Sequence, residues 1–157
     1  FGSRDMVSSR MTLLRSLALA LTALGLLSAC SRPDAAATGT ASGPGVAFVQ
    51  GSYEDALARA RAEKRLLLVD VYTDWCGWCK KLEREVFSDG RVAAAAKDLV
   101  AVRVNAEKGG EKVAERYDVQ GYPTVLFVDG SGKVVKRVDG FVDVEEMVQI
   151  LSALPKA

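Results

Sequence analysis

Two hydrophobic periods alternate along this chain, and they divide it into elements. Val46 to Val49 reads as a weak first strand. Ser52 followed by Asp55 has the form of a capping box, and Tyr53, Leu57 and Ala60 then fall on one helical face through about Lys64. The apolar run at 66–72 predicts a buried strand. It breaks at Thr73-Asp74 and gives way to apolar positions at helical spacing, Cys79, Leu82 and Val86, so a helix should reach about Phe87. Ser88-Asp89 can cap a short helix over Arg91 to Lys97, and the β-branched run Leu99 to Val104 predicts a second central strand. A polar helix over Glu111 to Tyr117 leads to Gly121-Tyr122-Pro123. Thr124 to Val128 then reads as a strand, Asp129 to Gly132 as a hairpin turn, and Lys133 to Val138 as its half-exposed partner. Asp143 with Glu146 caps a last amphipathic helix carrying Val144, Met147, Val148 and Leu151. The order β-α-β-α-β-α-β-β-α predicts an α/β fold: a mixed central sheet with helices on both faces, closed by a C-terminal β-hairpin and helix.

Upstream of Val46 the pattern changes. Arg15, an apolar run from Leu17 to Leu27 and then small residues make a signal-peptide pattern, too short to span a bilayer well. Leu27-Ser28-Ala29-Cys30 resembles the bacterial lipobox, in which the cysteine becomes the lipidated first residue; an ordinary secretory signal with a chance cysteine is the alternative. Residues 1–10 stand apart as an upstream extension. Apart from Arg32 and Asp34, residues 31–45 are Ser, Ala, Thr, Gly and Pro with no large apolar side chain, a flexible tether with a reach of roughly 20 Å. The reading is therefore three segments: 1–29, extension and signal; 30–45, lipidated cysteine and tether; 46–157, the folded domain.

Of 157 residues, 49% are apolar and 26% charged, which suits one soluble core. The formal charge of +1 becomes −1 without residues 1–29, which hold Arg4, Arg10, Arg15 and Asp5, so nothing favours a nucleic-acid partner. The absence of histidine excludes Cys-His hydrolases and most catalytic zinc sites.

Chemistry concentrates in Trp75-Cys76-Gly77-Trp78-Cys79-Lys80. Cys76 should sit in the first turn of a helix and Cys79 one turn inside, on nearly the same face. Unpaired N–H groups and the positive end of the helix dipole favour a thiolate there. Lowering a cysteine pKa from ~8.5 to ~7 takes about 2 kcal/mol and makes about half the thiol ionised at neutral pH. An accessible Cys76 that attacks and a Cys79 beneath it that resolves are the requirements of thiol–disulfide exchange. A metal half-site is the competitor, but structural zinc needs four ligands, so only a metal shared between two chains would do. A purely structural role is weaker, because so short a ring removes little unfolded-state entropy. Asp70 stands in an apolar strand; if buried, its pKa rises and it becomes a candidate proton acceptor for Cys79, whereas at a strand end it would reach solvent. Trp78 lies between the cysteines in an exposed turn and is a candidate for substrate contact; Trp75 is either packing or the same. Lys80 reads as a solvated neighbour with a small electrostatic effect.

Together, Trp75 to Lys80, Asp70 six residues before the first cysteine, and Gly121-Tyr122-Pro123-Thr124 resemble the thioredoxin superfamily. The longer string, Tyr72 to Cys76, Cys79-Lys80-Lys81-Leu82-Glu83 and Phe87-Ser88-Asp89, is most similar to one branch. That branch is the C-terminal periplasmic domain of the transmembrane thiol:disulfide interchange reductase, with related thioredoxin-like lipoproteins. The resemblance implies that Pro123 is cis and faces the disulfide, that the Tyr122 backbone pairs with an extended substrate, and that Gly140 lines the same groove. It gives Asp70 the proton-acceptor role and puts an acid at Glu83 that tunes the thiols, although a plain surface glutamate would look the same. It implies a monomeric envelope oxidoreductase with no bound cofactor beyond the Cys76–Cys79 pair. Its electrons would come from a membrane thiol–disulfide donor, and its clients would be disulfide-containing envelope proteins. Ser31 after Cys30 resembles outer-membrane sorting, facing the periplasm. A disulfide oxidase or isomerase would share fold and cysteines, and a non-catalytic binding or metal-carrying module is the reading from another class. The low histidine and methionine content speaks against copper.

Overall fold

The computed structural model describes residues 45–156. The expected signal segment, Cys30 and all of the expected tether but Gly45 lie outside the described residues. Helix α1 is Tyr53–Glu63, β1 Leu67–Tyr72, α2 Gly77–Lys81, α3 Gly90–Ala96 and β2 Val100–Asn105. They are followed by α4 Glu111–Arg116, β3 Thr124–Val128, β4 Val134–Asp139 and α5 Val144–Ser152. The strands form one mixed sheet in the order β2-β1-β3-β4: β1 runs parallel to β2 and antiparallel to β3, and β3 runs antiparallel to β4 with a bulge at Phe127/Val128. None of the described helices is long and apolar enough to cross a membrane.

Strand alternation builds two cores from one strand. Leu67, Val69 and Val71 of β1 pack with α1 and α4 through Tyr53, Leu57, Ala60 and Val113. Leu68 faces the other way, with Val125 and Phe127 of β3, onto Leu82, Val86, Val92, Met147 and Leu151. Asp70 shares the parity of Leu68 and therefore faces the layer that contains the cysteine helix.

Local chemistry accounts for the boundaries. Ser52 Oγ accepts from Asp55 N at 3.1 Å and Asp55 Oδ2 accepts from Ser52 N at 3.2 Å, which completes the capping box of α1. Asp89 and Asp143 cap α3 and α5 by accepting from Arg91 N at 2.8 Å and Glu146 N at 2.9 Å. Two expectations need correction. The regular helix expected through Phe87 stops at Lys81, and Leu82–Phe87 winds as a π-helix. Leu82, Val86 and Phe87 are all buried, and their spacings of four and five residues share a face only at the wider π pitch. The expected first strand at Val46–Val49 is a single bridge, Phe48 to Ala101. Val46 N–H donates instead to Phe87 O at 2.7 Å, so only Val49 N, at 2.8 Å from Ala101 O, follows the ladder.

Phe127 is fully buried at the centre of the second core. Phe127→Ala should lower the unfolding free energy of the full chain by about 3–5 kcal/mol. Urea titration should show a lower midpoint at an unchanged slope.

Candidate functional site

The chain leaves β1 at Tyr72, turns through Thr73 to Trp75, and enters α2 with Cys76 as the N-cap. Cys76 Sγ accepts from Cys79 N at 3.0 Å and is bonded to Cys79 Sγ at 2.10 Å, with the two Cα atoms 5.3 Å apart. Spacing had put Cys76 inside the first turn; it is the residue that opens it. The expectation of a freely accessible Cys76 is corrected. Only 4% of the residue is exposed, against 2% for Cys79, because its sulfur is turned onto the helix end to cap it and to bond Cys79. The tryptophans beside it are the open groups, Trp75 at 66% and Trp78 at 58%.

Tyr122–Pro123 is cis, Pro123 is buried and Tyr122 is half-buried. Gly140 has φ +88°, a left-handed value suited to glycine, and its N–H donates to Pro123 O at 2.8 Å. Tyr122 and Gly140 border one groove of about 530 Å³ with Asp118, Arg137 and Asp139. The Trp75 ring meets Tyr122 edge-on at 6.0 Å. Trp78 meets Phe141 at 5.5 Å, with Lys81 Nζ 4.6 Å from the Phe141 ring centre. Trp75, Trp78, Tyr122, Pro123 and Gly140 thus gather around the cysteine turn.

Asp70 is 1% exposed, which removes the alternative of a solvent-reaching strand end. Its Oδ2 accepts from Arg103 Nε at 3.0 Å, while Oδ1 is buried without a partner, as is Thr73 Oγ1. Burial raises the Asp70 pKa from 3.8 to about 6; Arg103 opposes the rise and Glu83 adds to it. Arg103 binds both acids, with Nη1 2.6 Å from Glu83 Oε1, and its guanidinium lies 4.3 Å from the Tyr72 ring centre. Glu83 is exposed. A cavity of about 140 Å³ reaches Cys79 between Thr73, Lys80, Glu83 and Arg103. Lys80 is exposed, and the charge it acts on is Asp74, whose carboxyl Lys108, and less so Lys80, hold below its usual range. Among the described residues no group of three or more Cys, Asp or Glu side chains is arranged to hold a metal ion.

Three neighbours escaped the sequence reading. Arg103 faces Asp70 because β1 and β2 pair in that register; an arginine inside the β-branched run Val100–Asn105 was the available signal. Phe141 and Glu107 come from loops, and Glu107 reaches the site by accepting from Trp75 Nε1 at 2.9 Å. No local pattern marked either one.

The raised Asp70 pKa makes stability depend on pH. The unfolded chain loses this proton near 3.8 and the folded chain near 6, so between those values the folded state holds more protons and stability falls as pH rises. Above about pH 6 the full cost, about 3 kcal/mol, is present. Asp70→Asn should therefore stabilise the protein by about that amount at pH 7.5 and by little below pH 4, as read by chemical denaturation at each pH.

Residues 53–155 match the family model of the thioredoxin-like domain. A thiol:disulfide interchange protein DsbD of Haemophilus influenzae is 34% identical over 116 residues, covering 69% of this chain and 20% of that protein. The chain spans about a fifth of the length of such curated relatives. The solution structure of a putative disulphide-isomerase from Bacteroides thetaiotaomicron is 40% identical. It has a TM-score of 0.62 and covers 71% of this chain and 94% of that one. The reduced C-terminal domain of DsbD from Neisseria meningitidis shares the fold, with a TM-score of 0.55 at 22% identity, covering 65% of this chain and 93% of that one. A thioredoxin-type sheet, a cysteine pair at the strand-to-helix junction and a cis proline before β3 agree with these matches: the chain belongs to the thioredoxin-like family and is a thiol–disulfide oxidoreductase with a Cys76–Cys79 pair.

Proposed function

We propose that the protein reduces protein disulfides in the bacterial cell envelope. The observation that carries this reading is a Cys76–Cys79 disulfide in the same layer as a buried carboxylate, Asp70, whose proton affinity lies near neutrality. In the reduced protein, Cys76 thiolate attacks one sulfur of a client disulfide. The Cys76–client bond forms, the client S–S bond breaks, and the leaving sulfur takes a proton. Asp70 accepts the Cys79 proton, Cys79 attacks Cys76 Sγ, and the second client sulfur leaves as thiolate. Two electrons pass to the client, and the Cys76–Cys79 bond records their loss. The dithiol is its own electron carrier, so the reading calls for no bound cofactor.

Arg103 and Glu83 tune Asp70 in this scheme, Lys80 adds a minor charge, and Trp75, Trp78, Tyr122, Pro123 and Gly140 receive the extended client segment. The relationship to DsbD, a thiol:disulfide interchange protein, supports a membrane thiol–disulfide donor as the source of electrons and the periplasm as the compartment. Lipidation at Cys30, with anchoring at the outer membrane and action as a monomer, completes the proposal; its support is the lipobox-like Leu27-Ser28-Ala29-Cys30. A second reading, disulfide isomerisation, is favoured by the Bacteroides protein described as a putative disulphide-isomerase, 40% identical to this chain.

Cys79→Ser should accumulate mixed disulfides with client proteins, seen as higher-mass bands on non-reducing gels and abolished by adding Cys76→Ser. Cys76→Ser alone should lose insulin-disulfide reduction; activity equal to wild type would favour a binding module. Asp70→Asn should leave the first attack and slow resolution by about 100-fold or more. Equilibration with glutathione should give a potential well below about −180 mV, whereas a value near or above that favours the isomerase.

A further inference from the structure

Of the large apolar side chains exposed among the described residues, Trp75 and Trp78 both adjoin the cysteines, and each leans on a ring from another segment. Trp75 meets Tyr122 at 6.0 Å and Trp78 meets Phe141 at 5.5 Å. The loops bearing Tyr122 and Phe141 are joined by the 2.8 Å bond from Gly140 N to Pro123 O. Two aromatic pairs therefore border the cysteine turn, one through Trp75 and one through Trp78.

The two pairs carry opposite charges. Lys81 Nζ lies 5.2 Å from the Trp78 ring centre and 4.6 Å from that of Phe141. Its carboxylate neighbour, Glu85, is 3.9 Å away and bonds Arg84 more closely, at 2.9 Å, which leaves net positive charge at this pair. On the other side Glu107 accepts from Trp75 Nε1 at 2.9 Å and makes no ion pair among the described residues. Asp74 beside it is matched by Lys108 at 2.5 Å and, more weakly, by Lys80, so Glu107 is the charge that bonds the Trp75 ring directly. The loop carrying Glu107 is held in place: Gly110 N donates to Asn105 O at 3.0 Å, and a Cβ on Gly110 would come within 2.3 Å of Val104 Cγ1.

We propose that these pairs read charge order in the client, taking an extended segment whose cysteine has an acidic residue on the Lys81 side and a basic residue on the Glu107 side. The inference rests on the protein-disulfide reductase reading and adds its substrate class. It keeps the electron balance given above, with two electrons leaving the Cys76/Cys79 dithiol and a client disulfide becoming two thiols. Charges at an exposed rim act weakly one at a time and chiefly on encounter, so the preference should be modest and salt-sensitive.

The test uses the prereduced full chain and two peptides of identical composition, each supplied as its symmetrical disulfide dimer. One places glutamate before the cysteine and lysine after it; the other reverses them. Single-turnover rate constants at low salt should differ by about fivefold, converge at high salt, and exchange rank in the double variant Lys81→Glu, Glu107→Lys. Equal rates for both orders in the unmodified protein overturn the proposal and leave the reductase intact, as does a preference that survives the double exchange. Failure to reduce either peptide overturns the reductase reading itself.

Discussion

The alternation of side chains along β1 is the constraint on which the remaining structure depends. Leu67, Val69 and Val71 commit one face of the sheet to α1 and α4, so Leu68 and Asp70 must face the opposite layer. A one-residue slip in register would send the carboxylate among Tyr53, Leu57 and Val113 and bring three aliphatic side chains toward the cysteine helix. Burying a carboxylate is unfavourable anywhere in a core, and Arg103 makes it tolerable here. Strand pairing brings Arg103 opposite Asp70, and its guanidinium reaches outward to Glu83 while its plane lies against Tyr72.

That arrangement is a compromise between folding and chemistry. A more complete set of partners for Asp70 would favour its ionised form and the stability of the domain, but would weaken its affinity for a proton near neutral pH. Leaving Oδ1 without a partner and sharing Arg103 with Glu83 keeps that affinity high. Sites that sacrifice stability in this way are where function is expected to reside.

The legible parts of this protein were those set by local chemistry. Ser52 with Asp55, Asp89 and Asp143 each start a helix through a side-chain bond that a short stretch of sequence specifies, and the long periodic runs became strands as read. The cysteine spacing, Asp70 and the cis proline followed from motif and resemblance. What escaped required three dimensions. The π winding at Leu82–Phe87 answers packing against the sheet, and the Val46–Val49 strand gives way to a competing bond at Phe87 O. Arg103, Glu107 and Phe141 reach the site only through strand register or loop closure, which no window along the chain displays.

The position of β4 as the last strand has a consequence for life in a crowded compartment. Its outer rim offers unpaired backbone groups, a template on which another extended chain could polymerise. Lys136 puts an exposed cationic side chain on that strand, and the bulge at Phe127/Val128 disturbs the regular ladder next to it. The flank of the sheet thus resists amyloid-like stacking without a further element to cover it.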